Sequence, residues 1–162
     1  MNEANARCDE RTQLEQRVAA HPFLIGLSRH HIRLLADCAL LTDFSAGQSI
    51  FRAGETANRF YLIEAGHVVL ESGDDSAKPI KIDIIGPGDL LGWSWIFPPY
   101  KWHFSARAVE PTKAIFFYGT ILREYCDKDP ILGYELFKRM SEVMIKRLQR
   151  ARAQLIESMT KA

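Results

Sequence analysis

Turn-forming residues break the middle of the chain at short intervals: Gly47, Gly54, Gly66, the Gly73-Asp74-Asp75 run, Gly86-Pro87-Gly88 and Pro111. Glycine and proline both disfavour helix interiors, so this spacing leaves no room for a long helix. The intervals between them are rich in β-branched and aromatic residues, and each reads as a short strand. Strands are expected over 48–52, 59–64, 67–71, 104–109 and 113–118. Ile80, Ile82 and Ile84 alternate with Lys81 and Asp83 and predict one more, half-buried strand. Many short antiparallel strands between tight turns imply a jelly roll or sandwich.

Helices flank this β-region. Leu14 and Val18 put a thin apolar stripe on a charged segment that ends before His21-Pro22. Ser28 is a good N-cap, Leu27 before it can staple onto Ile32, and Leu35, Ala36 and Ala39 continue the face, which predicts a helix over 29–39. Beyond Gly119, Thr120 can cap a short helix through Tyr125, and Asp129-Pro130 can begin another. No proline or glycine interrupts the chain after Tyr134. In heptads, Tyr134, Ser141, Leu148 and Leu155 fall at a, with Phe137, Met144, Ala151 and Ser158 at d. About 28 helical residues make a rod of roughly 42 Å, too long to lie wholly against so small a β-domain. Its free face is expected to meet a second copy, giving a homodimer; a solvated terminal helix is the alternative.

The expected organisation is a helical lead-in over 1–40, a β-roll over 41–119 and C-terminal helices over 120–162, together one domain. With 162 residues there is room for one domain at about 150 residues each. The formal net charge is +1, which argues against a chain-wide nucleic-acid footprint. Cys8, Cys38 and Cys126 are odd in number and widely spaced, so neither a disulfide framework nor a zinc site is expected, and a reducing, cytoplasmic setting fits. No apolar run approaches the 18 or so residues of a membrane span. The histidines fall into no metal-binding spacing, and His30 and His31 diverge by about 100° on one helix; surface or capping roles are expected. No catalytic motif occurs, and the chain is not expected to be an enzyme.

The stretch F-S-A-G-Q-S-I-F-R-A-G-E-T-A-N-R-F-Y-L-I-E-A-G-H-V-V-L, residues 44–70, carries a further signal. Its turn glycines Gly47, Gly54 and Gly66, Glu55, and the Phe60-Tyr61-Leu62-Ile63 strand resemble the cyclic-nucleotide-binding domain of the catabolite-activator and Fnr (Crp/Fnr) regulator type. The resemblance covers about 22–155. It implies a mainly β fold, an antiparallel double-stranded β-helix (jelly roll) with N-terminal helices and a long C-terminal helix. It also implies a cyclic nucleotide, cAMP or cGMP, beside a short helix in a cassette at 88–102, and a ligand-dependent change in the packing of the long helix.

The cassette departs from that pattern. Family members carry a glutamate for the ribose and an arginine for the phosphate; the resemblance puts Trp93 at the glutamate position and, with Ala106-Arg107-Ala108-Val109 aligned on the family's following strand, Trp102 at the arginine position. Trp102 shares the expected inward face with Phe104, Ala106 and Ala108, while Lys101, His103, Ser105 and Arg107 face away. Lys101, at the strand's start, is the nearest cation with reach. A buried phosphate without a paired cation costs several kcal/mol, which a helix N-terminus worth about 0.3–2 kcal/mol offsets only in part. Six aromatic residues lie within 93–104. They either fill the pocket or line an apolar site for another small molecule. The candidate ligand-binding residues are Leu91, Gly92, Trp93, Ser94, Trp95, Lys101 and Trp102.

Three functions follow as expectations. The leading one is a stand-alone regulatory or sensor module, with a cyclic nucleotide or another small ligand at the divergent cassette, that dimerises through its last helix. The second is a ligand-free dimeric module that docks a protein partner. The third is association with DNA through the last helix, where seven basic residues stand against three acidic ones after Tyr134. A solvated face explains that excess better. The helix-turn-helix that follows the dimer helix in transcription factors of this type has no counterpart before Ala162, so no DNA-binding domain is expected in this chain.

Overall fold

The structure is a computed structural model that describes residues 3–72 and 78–161. The expected hairpin tip at Gly73-Asp74-Asp75 lies outside the described residues. Helices α1 (Glu3–Ala20) and α2 (Arg29–Asp37) lead into eight strands, β1 (Ala39–Phe44), β2 (Ser49–Phe51), β3 (Arg59–Ala65), β4 (Val68–Ser72), β5 (Ile80–Ile85), β6 (Leu90–Leu91), β7 (Ser105–Ala108) and β8 (Thr112–Tyr118). A single 3₁₀ turn, Ser94–Ile96, sits between β6 and β7, and helices α3 (Gly119–Lys128) and α4 (Pro130–Thr160) follow β8. The strands form two four-stranded antiparallel sheets, ordered β1-β8-β3-β6 and β2-β7-β4-β5. That is the jelly roll expected from the spacing of the turns.

Turn chemistry explains the connections. Gly66, between β3 and β4, has φ 84°, and a Cβ there would come within 2.5 Å of the Pro111 carbonyl oxygen, so only glycine fits. Ser28 caps α2, its Oγ accepting from the His31 N–H at 3.2 Å. The helix stops at Asp37, two residues short of expectation, because Ala39 is already paired with Phe117 in β1. Likewise α3 begins at Gly119 with Tyr118, not Thr120, in the capping position.

Two hydrophobic cores result. One fills the roll between the sheets and includes Phe51, Tyr61, Leu70, Leu91 and Trp102. The other lies between the first sheet and the helices, where Leu24, Leu35, Phe60, Trp95, Phe117 and Leu136 meet. His21 bridges α1 to the roll: its Nδ1 accepts from the Phe23 N–H at 3.2 Å, which leaves Nε2 to donate to the Ile63 carbonyl at 3.0 Å. Both bonds suit the neutral ring, and burial pushes the His21 pKa down. His31 is also buried, with Nε2 2.9 Å from Asp129 Oδ2 at the start of α4. A surface role therefore describes neither of these two histidines.

One strand departs from its pattern. Ile80, Ile82 and Ile84 are exposed rather than half-buried, at 66%, 39% and 38%. β5 is the edge of its sheet, and of its residues only Ile85 reaches the roll core.

Helix α4 is continuous over 31 residues, roughly 46 Å at 1.5 Å per residue. Leu132, Leu136 and Met140 bury one face of its first half against the core. Residues 151–160 are exposed throughout.

Candidate ligand-binding site

The cassette is built from β6, the 3₁₀ turn and the approach to β7. Leu91 pairs with Tyr61 and is wholly buried. Gly92 then turns the chain at φ 87°. A Cβ on Gly92 would lie 2.7 Å from Cζ3 of Trp102, so the indole rests directly on the glycine backbone. Trp102 is 3% exposed and stacks on Phe51 with ring centroids 3.9 Å apart and planes 13° from parallel. The inward face expected from strand parity is observed in part: Trp102, Ala106 and Ala108 are buried and Lys101 and His103 are exposed, but Phe104, expected with the inward set, is only half-buried and stands outside the roll core.

Three of the cations near this point, Arg59, Lys101 and Arg107, are already engaged. The Arg59 guanidinium carbon lies 6.0 Å from the Trp102 ring centroid, while Nε donates to Tyr61 Oη at 2.7 Å and Nη2 to the Ile50 carbonyl at 3.3 Å. Lys101 donates from Nζ to the Gly54 carbonyl at 3.3 Å on the exposed side of the strand. Arg107 pairs with Glu71, and this partner raises its pKa.

Gly92, Trp93, Ser94 and Trp102 come together around a cavity of about 20 Å³. That is room for about one water molecule, against the roughly 300–1,000 Å³ of small-molecule pockets. The other three candidate residues lie outside it. Leu91 is in the roll core, Trp95 is fully buried in the helical core with its ring 5.2 Å from Phe60, and Lys101 is on the surface. The helix whose N-terminus was expected to receive a phosphate is one 3₁₀ turn of three residues. Arg123, from α3, donates to the Trp95 carbonyl and lies 4.2 Å from the Tyr100 ring, fixing this turn to the helical core.

Sequence reasoning missed Arg147 of α4. Its guanidinium carbon lies 5.0 Å from the Trp93 ring centroid, and Nη2 donates to the Leu90 carbonyl. Desolvation lowers its pKa, an effect that Asp83 and Asp89 counter only in part. The signal was available, since Arg147 stands seven residues after Met140 and so lies on the inward stripe of the helix. Beyond Trp93 a second, larger cavity of about 350 Å³ opens between the roll and α4, with Ile82, Trp93 and Phe104 on one wall and Met144 and Leu148 on the other.

The model of the cyclic nucleotide-binding domain matches residues 41–129, more than half of the chain. The chain belongs to the cyclic nucleotide-binding domain family. The CRP-like cAMP-activated global transcriptional regulator of Mycobacterium tuberculosis is 27% identical over 115 residues, 71% of this chain and 50% of that protein. The chain thus spans about half the length of the curated relatives it matches. A Geobacter metallireducens protein described as cyclic nucleotide-binding superposes with a TM-score of 0.75 at 25% identity, covering 83% of this chain and 97% of its own. A cyclic nucleotide-binding domain from Methylobacillus flagellatus shares the fold with a TM-score of 0.76 at 16% identity, covering 90% and 84% of the two chains. Among the described residues no helix is long and apolar enough to cross a membrane.

Proposed function

We propose that this domain is a regulatory, non-catalytic module that dimerises along α4 and takes no cyclic nucleotide in its roll pocket. The observation that carries the reading is the split face of α4. Leu132, Leu136 and Met140 are buried, whereas the heptad residues Tyr134, Phe137, Leu148 and Leu155 are 63%, 47%, 70% and 61% exposed. Apolar residues repeated along one exposed helix face suit a second helix of the same kind. The filled cassette supports the second part: Trp102 occupies the arginine position, and the space beside it holds about one water.

A module of this kind passes its signal through the dimer helix or to a protein partner docked on it. Any ligand would act by favouring one packing of α4 over another, to the extent that it binds the two differently.

Sedimentation velocity at micromolar concentration tests the dimer. Two chains are expected for the native sequence and one for the Leu148→Glu/Leu155→Glu double variant; a native monomer overturns the reading. Calorimetric titration with cAMP and cGMP tests the pocket, with no heat of binding expected. Saturable binding of either nucleotide would show that Trp102 moves aside.

A further inference from the structure

His21 ties the connection between α1 and α2 to the roll with both of its ring nitrogens. The residue is 5% exposed; Nδ1 accepts from the Phe23 N–H at 3.2 Å, and Nε2 donates to the Ile63 carbonyl of β3 at 3.0 Å. Only the neutral ring with its proton on Nε2 satisfies both bonds. A second proton would set an N–H on Nδ1 against the N–H of Phe23, a buried residue whose amide has no other acceptor among the described residues.

The charged groups around the ring are spoken for. Glu64 of β3 pairs with Arg17 of α1, and Asp89, in the turn before β6, accepts from the Gly86 N–H at 3.0 Å. Burial outweighs the attraction of these two carboxylates and holds the ring neutral. An open cavity of about 410 Å³ beside it, lined by Arg17, His21, Glu64 and Gly88, gives protons a route to the ring. The same connection anchors α4 on its other side. Arg139, the charged group that α4 presents there, donates from Nη1 to the Phe23 and Ile25 carbonyls, both at 2.9 Å. Those carbonyls hold their positions only while the connection stays seated.

We propose that His21 is an acid-sensitive latch, which on gaining a proton at Nδ1 releases residues 21–26 from the roll and with them the Arg139 anchor of α4. One proton is taken up and one hydrogen bond, from the Phe23 N–H, is lost. The seated ring has a pKa below the ordinary value of about 6.5 and the released ring regains that value, so release is favoured as the pH falls below about 6.5. The inference goes beyond the dimer reading and does not depend on it, because every contact lies within one chain.

The test is amide hydrogen exchange of the native chain and of His21→Gln from about pH 7.5 to about pH 5, corrected for the intrinsic pH dependence of exchange. Glutamine keeps a donor for the Ile63 carbonyl and cannot ionise. In the native chain the protection of residues 23–26, and of 132–140 in α4, is expected to fall with pH by at most about tenfold per pH unit, the limit for uptake of one proton. Protection along the β3–β8 pairing should hold, and His21→Gln should show no such fall. His30, His31, His67 and His103 are present in both chains and cancel in the comparison. Equal pH dependence in the two chains, or native protection that stays flat to pH 5, overturns the proposal. A fall shared equally by β3 and β8 does so as well, since the whole fold then opens and no latch is needed. If His21→Gln fails to fold, the nitrogen resonances of the native imidazole decide. Nδ1 must gain its proton below about pH 6.5 together with the loss of Phe23 amide protection, and a ring that titrates without that loss overturns the latch.

Discussion

The first half of α4 is tied into the protein along its length, and the second half is tied almost nowhere. Leu132, Leu136 and Met140 are fully buried, and Arg139 reaches across from Nη1 to the Phe23 and Ile25 carbonyls at 2.9 Å each. After Met144 the helix touches the roll through Arg147 at Leu90 and Arg150 at Asp83, and residues 151–161 are exposed. Both halves have an apolar row. What differs is the direction: the first row packs into the helical core, whereas in the second row Leu148 faces only the cavity beside the roll and Leu155 is exposed. Burial within the protomer stabilises the fold, whereas an exposed apolar row of this length is useful only if another surface covers it.

The largest effect should come from the docked half. Leu136→Ala removes a fully buried side chain and should cost about 2–5 kcal/mol in chemical denaturation. The loss should be the same at every protein concentration, because the contact lies within one chain. A cost below about 1 kcal/mol would mean that the first half of α4 packs loosely on the core.

In the free half, the effect should depend on concentration. Leu155→Ala, at a residue 61% exposed, should change stability by less than about 0.5 kcal/mol at dilutions where the chain is monomeric. At concentrations where the native chain pairs, the same variant should melt lower than the native protein, because association stabilises only the folded state. A melting difference that persists unchanged on dilution would place Leu155 in an intrachain contact and erase the contrast between the halves.

Much of this contrast was legible in the sequence, though not all of it. Turn spacing located the strands, because glycines such as Gly66 sit where the backbone tolerates no side chain. Alternation in Trp102, Ala106 and Ala108 located the inward face of β7 and its approach, and with it the plug in the cassette. Alternation failed at β5 for a physical reason: a period of two says which residues share a face, not whether another layer covers that face. Trp95 and Trp102 read alike in sequence and ended in different cores, since Trp95 lies in the 3₁₀ turn against the helices and Trp102 on the approach to β7 inside the roll. Arg147 was counted with the solvated charges of its helix, although its spacing from Met140 places it inward. His31 and Asp129 are 98 residues apart, beyond what any local pattern can join.

That last pair yields the smallest prediction, at the point where the docked half of α4 begins. Asp129 caps the helix, its Oδ1 accepting from the Ile131 and Leu132 N–H groups at 3.2 and 3.3 Å while Oδ2 meets His31 Nε2 at 2.9 Å. The His31 hydrogen bond, with the backbone N–H groups, holds the Asp129 pKa below the usual carboxylate value. A carboxyl group with a depressed folded pKa contributes stability that is fully present above its unfolded value of about 4 and is lost as pH falls through the folded one. Asp129→Asn keeps a capping oxygen but cannot ionise. Native and variant melting midpoints should therefore differ at neutral pH, with the native higher, and draw together as the pH is lowered below about 4. A gap that stays constant across that range would show that the cap acts through shape alone and that its charge contributes nothing to docking α4.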